Sequence, residues 1–280
     1  MKINAKWAAT LAVPLICGQI LGANAQPQQD DGPPHPERLT EEHMSSDEFY
    51  LPSINEIYMQ AQAFGVSGNW KKVVKIQATN YRTMPLPRRS FEVGKTLSNI
   101  AFLVLDTGDR NAAPPKGLVQ HAYDAILSLN PPAKINNQLQ RLRDQLEAGT
   151  LRGQRLREQV DVLMDETVPE IMDTEPKLKD ATMLVLGAGY FRAMYLGANT
   201  VASYRNPTRD QLAMFRWGSM VDYFIKYFTV KAAANFKNSA EVKSFVIALK
   251  KIQRLVNKSP ESITKADVSK IAKALGVLFK

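Results

Sequence analysis

His121 and Asp124 stand one helical turn apart, and an imidazole beside a carboxylate at that spacing is the start of a metal or acid–base site. A start is all the chain provides. A zinc or dinuclear site on helices needs further histidines or carboxylates at paired spacing, and neither H-E-x-x-H nor E-x-x-H occurs. The nucleophile elbow G-x-S-x-G is absent as well. Gly187 and Gly189 open a G-x-G, but Arg192 stands where a dinucleotide fingerprint has its third glycine, and no strand is expected before it. No catalytic set, metal site or cofactor site is therefore expected.

Arg192 carries a different kind of chemistry. It is the only charged residue in positions 181–203, a run otherwise made of apolar, small and a few polar residues. A guanidinium on a buried helix requires an acid or a bound anion. A structural salt bridge is the ordinary outcome, and an anion-binding site the functional one. Tyr223 and Tyr227, four residues apart, flank one side of an amphipathic stretch. Such rings serve a sugar or aromatic ligand, or simply pack at the rim of a core.

The strongest pattern is basic. Positions 226–280 hold twelve lysines and arginines against Glu241, Glu261 and Asp267. Lys243, Lys250, Arg254 and Lys258 recur on the outward side of a helix expected over 239–257, and Lys265, Lys270 and Lys273 on the outward side of a final helix opened by Thr264. A lysine face is either solvated only or binds anionic lipid, cell-wall polymer or an acidic protein. Nucleic acid is not expected, because no stacking aromatics accompany the stripe.

The N-terminal residues bear on which partners are available. Lys2 and Lys6 precede a mostly apolar stretch from Trp7, and Ala23, Asn24 and Ala25 end it. This order is that of a cleaved secretory signal over 1–25. The apolar stretch is broken by Pro14, Gly18 and Gln19 and falls short of a membrane span. Cys17 is the single cysteine and lies within it, so the exported chain holds no thiol for disulfides or metals. Residues 26–50 have seven acids against Arg38 alone, with Pro27, Pro33, Pro34 and Pro36. They read as a flexible acidic leader in which His35 and His43 are solvated.

From Ser53 the periodicity is helical. Ser53 and Glu56 form a capping box for a helix through Ile57, Ala61 and Phe64 that ends at Gly65. A segment around Trp70, Val73, Val74 and Ile76 fits helix or strand. Ser90 is expected to cap a central helix striped by Val93, Leu97, Ile100 and Val104, after a rigid connection containing Pro85 and Pro87. A helix over 115–129 follows. Ile135, Leu139, Leu142, Leu146, Leu156, Val160 and Leu163 then keep one heptad register across 135–167. Gly149 and Gly153 make this either one kinked or interrupted helix, the preferred reading, or a hairpin. The segment 181–203 is read as a buried central helix rather than a membrane span, packed through Gly189, Ala193 and Gly197. Thr208 caps a further helix striped by Met214, Trp217, Val221, Phe224 and Phe228.

The fold class is thus all-α, a bundle-like domain of about eight or nine helices over residues 51–280, with a subdivision considered near 173–176. Function is read as a non-enzymatic adaptor or scaffold of the cell envelope, periplasmic or otherwise outside the cytoplasm and peripheral to a membrane. Its last two helices would meet an envelope protein or anionic surface, and residues 135–167 could bring two copies together. Two other classes stay open. One is a carrier whose cavity ends at Arg192 beside the acidic head of an apolar ligand; the other is a cell-wall-acting enzyme using carboxylates scattered on helices.

Overall fold

Lys179–Ser203 is a 25-residue helix in which every residue of 181–194 is buried. A helix apolar on all sides must be covered on all sides, and the chain supplies that cover from both directions. The computed structural model describes residues 54–66, 70, 74, 79–105, 116–151, 155, 158, 159, 162 and 175–279. Met1–Tyr50 and Leu51–Lys280 separate as two units. The expected signal and leader, with His35 and His43, lie outside the described residues. All regular structure among the described residues is helical, and the fold is all-α.

Helix α1 (Ile54–Ala63) stops where expected, at Gly65 with φ +68°, and the Val66 amide donates back to the Ala61 carbonyl at 2.7 Å. Ser53 of the capping box lies outside the described residues. In the ambiguous segment that follows, Trp70 and Val74 are buried, and the Val74 amide donates to the Trp70 carbonyl at 2.7 Å. Helix α2 (Leu86–Leu105) starts earlier than Ser90. Pro87 lies in its first turn, where a missing N–H has no partner to lose. The Ser90 hydroxyl donates to the Leu86 carbonyl at 2.8 Å from within the helix, so it is not the cap.

Helices α3 (Lys116–Leu127) and α4 (Ala133–Glu147) pack together across a turn that places Asn130 at φ +53°. Gly149, at φ +69°, then ends α4, with the Thr150 amide donating to the Gln145 carbonyl at 3.0 Å. The heptad register of 135–167 is therefore not one continuous rod: a left-handed residue stops it in the middle. Most of its second half lies outside the described residues.

Helix α5 (Lys179–Ser203) is enclosed chiefly by α2 and by the C-terminal helix. The closest approach is at Gly94 of α2, where a Cβ would stand 2.1 Å from the Val185 carbonyl oxygen. On another side, a Cβ at Gly187 would meet the rings of Phe224 and Phe245 at 3.0 Å. The expected ridge through Gly197 is looser, with its nearest neighbour, Phe215, at 3.5 Å. Phe191, Phe224, Phe228 and Phe245 form an aromatic cluster, edge-to-face apart from the stacked Phe224–Phe228 pair, with the Phe191 and Phe245 centroids 5.5 Å apart.

The stretch after Thr208 is broken rather than single. Thr208 and Gln211 make a reciprocal capping box for α6 (Arg209–Ala213), and the chain bends before α7 (Gly218–Lys226). Gly218 sits against the side chain of Asn257, where a Cβ would come within 1.7 Å of its Oδ1. A π-helical turn (Tyr227–Lys231) and α8 (Ala234–Lys237) lead to α9 (Ala240–Val256) and α10 (Lys265–Phe279), which pack against each other. No helix among the described residues is long and apolar enough to cross a membrane.

Candidate functional site

The outward face of α9 is set by its inward one. Ser239 caps the helix, its hydroxyl accepting from the Val242 amide at 3.3 Å, and Val242, Phe245, Leu249, Ile252 and Val256 are all buried. With that stripe fixed, Lys243, Ser244, Ile247, Lys250, Lys251 and Arg254 are exposed along one continuous strip at three- and four-residue spacing. Lys243, Lys250 and Arg254 pair with no described residue. The only acid of α9, Glu241, lies in its first turn, where it complements the positive end of the helix dipole. Lys270 and Lys273 are exposed on α10.

Lys258 does not belong with the other cations. Its ammonium donates to Asp267 Oδ2 at 2.8 Å, while its carbonyl accepts from Arg216 Nε at 2.8 Å. The same Asp267 oxygen accepts from the Thr264 amide at 2.9 Å and hydroxyl at 2.7 Å, and the Thr264 hydroxyl accepts from the Asp267 amide at 3.2 Å. Burial pulls the Asp267 carboxyl up, but the bonds from Lys258 and Thr264 outweigh it and hold the group below its ordinary range. Lys258 thus closes the turn between α9 and α10 instead of projecting charge outward. Lys265 is used similarly, donating to the Tyr204 carbonyl.

Arg192 is buried at the middle of α5, but the expected acid is missing among the described residues. Its Nε donates to Asn99 Oδ1 at 2.7 Å and its Nη1 to the Phe279 carbonyl at 3.1 Å. The guanidinium carbon lies 5.2 Å from the Tyr195 ring centroid and 5.8 Å from that of Phe279. Burial lowers its pKa to about 10, opposed by the charges of Tyr195 and Glu92. The group ties α2, α5 and the end of α10 together through Asn99 and the Phe279 carbonyl.

Tyr223 and Tyr227 are neighbours, centroids 6.3 Å apart. Tyr227 is buried and donates to Asp180 Oδ1 at 2.7 Å, while Asp180 Oδ2 accepts from the Ala233 amide at 2.9 Å. Burial, followed by Asp180, pushes the Tyr227 hydroxyl well above its usual value; burial alone raises Tyr223. This cluster fastens the π-helical turn to the start of α5.

His121 is half-buried with its ring 6.0 Å from that of Tyr81, while Asp124 accepts from Gln120 at 2.8 Å. Among the described residues no three of His, Cys, Asp and Glu converge on a metal-binding position. Among the described residues the two carboxyls whose pKa is displaced, Glu261 and Asp267, both move down, the direction opposite to a general acid. Sequence reasoning missed Asn99 and Asp180, which carry no local signal because their partners lie far away in the chain. Comparison with known family models, curated proteins and solved structures finds no match, so the basic strip of α9 must be interpreted from its own chemistry.

Proposed function

We propose that this chain is a non-enzymatic helical adaptor that acts outside the cytoplasm and engages an anionic partner through the outward strip of α9. The observation that carries this is the exposure of Lys243, Lys250, Lys251 and Arg254 on one face of one helix without an interspersed acid. A surface kept charged only for solubility mixes both signs. A single-sign strip gives a field that attracts counter-charge and is attenuated by salt over about 8 Å at physiological ionic strength. The extracytoplasmic setting is supported by the composition of residues 1–25.

The test is retention of the purified full chain on a dextran sulfate column developed with a salt gradient. K243Q/K250Q/R254Q is expected to elute at clearly lower salt than the unaltered chain, and K258Q close to it, because Lys258 is already occupied by Asp267. Elution of the triple variant with the unaltered chain would reject the proposal.

A further inference from the structure

The strip on α9 is not purely cationic. Ile247 is 53% exposed and stands three or four residues from Lys243, Ser244, Lys250 and Lys251. On α10, packed beside it, Val277 is 76% exposed one turn beyond Lys273. We propose that the outward strip of α9, together with the exposed end of α10, docks on the headgroup layer of an anionic phospholipid bilayer, with the cations against lipid phosphates and Ile247 and Val277 entering between headgroups. This rests on the polyanion reading given above and names the partner.

Three features select a lipid surface over other polyanions. An anionic polymer gains nothing from bare aliphatic side chains, whereas the upper acyl region of a bilayer removes them from water. The cores of protein interfaces are depleted of lysine and enriched in aromatic side chains, and this strip has lysines and no aromatic residue. Lysine stems can also lie along an apolar layer with their ammonium groups at the phosphates, which suits a strip where Ile247 stands among cations. The docking is peripheral, since no described helix can span a membrane.

The experiment is co-sedimentation of the full chain with phosphatidylcholine vesicles and with vesicles also containing phosphatidylglycerol, alongside the dextran sulfate column. Binding is expected only to the anionic vesicles. K243Q/K250Q/R254Q should weaken it on the order of a hundredfold, each cation contributing roughly fivefold. I247S/V277S should weaken vesicle binding by roughly three- to tenfold while leaving column retention unchanged. All five side chains are exposed, and circular dichroism checks that the helices persist. If I247S/V277S binds anionic vesicles as the unaltered chain does, or if the chain is retained on the column yet ignores those vesicles, the bilayer proposal falls and the polyanion reading stands. If the unaltered chain is held by neither, both fall.

Discussion

Lys258 and Asp267 meet at 2.8 Å across the turn joining α9 to α10, and the carboxylate that neutralises the lysine also caps the second helix. The pair is partly shielded, with the aspartate nearly enclosed. D267N removes the charge and weakens both contacts, so a loss of about 1–2 kcal/mol in urea unfolding is expected at neutral pH. Because the folded carboxyl is held below its unfolded value, its stabilisation is complete above about pH 4 and is lost as pH falls through the depressed folded value. The gap between the unaltered chain and D267N should accordingly narrow in acid.

Gly94 and Gly117 give opposite expectations for the same substitution. A Cβ at position 94 would overlap the Val185 carbonyl, which is backbone and cannot rotate away, whereas nothing lies within 4 Å of one at position 117. G94A should therefore cost at least about 2 kcal/mol or prevent folding. G117A should be neutral or add up to about 1 kcal/mol through helix propensity. Thermal melts of the two variants decide the matter.

Arg192 has become structural by binding an amide, a carbonyl and two rings. R192A should cost about 3 kcal/mol, since Asn99 and the Phe279 carbonyl would be left buried without their donor. R192M should cost less because it refills the volume, and R192K should not restore the loss, since an ammonium cannot reproduce a planar group that reaches both Asn99 and the Phe279 carbonyl beside the Tyr195 and Phe279 rings. Equal stability of R192K and the unaltered chain would count against this geometry.

Tyr227 should ionise only at strongly alkaline pH. Its hydroxyl is raised by burial and by Asp180, so its stabilising effect is complete below the ordinary tyrosine value of about 10 and is lost as pH rises beyond it. The unaltered chain is expected to lose stability more steeply than Y227F above that pH. An absorbance titration of tyrosinate should show that the difference between the two proteins contains no step near 10.

The parts of this fold that were legible in sequence are those fixed by neighbours. Lys243, Lys250 and Arg254, like Lys270 and Lys273, were predicted outward and are exposed, while Val242, Phe245, Leu249, Ile252 and Val256 are buried opposite the first three, because periodicity is a local property. Thr208 and Thr264 start their helices as read for the same reason. What escaped was decided across the chain. Gly218 lies against Asn257, the partner of Arg192 is Asn99, and Lys258 leaves the basic face because Asp267 faces it over the turn. Ser90 was misjudged through prolines, which permit a helix start as readily as they forbid a helix interior.

The enclosure of α5 has a consequence for the order in which the domain can be completed. Its covering surfaces come from α2, well upstream, and from α10, whose Val268, Ile271, Leu275 and Phe279 are buried. During synthesis the side of α5 that faces α10 stays uncovered until α10 has left the ribosome, although α2 is already available to cover another side. Nascent chains halted before position 265 should thus be open to proteases and chaperones, and acquire resistance abruptly rather than gradually once the final helix is released.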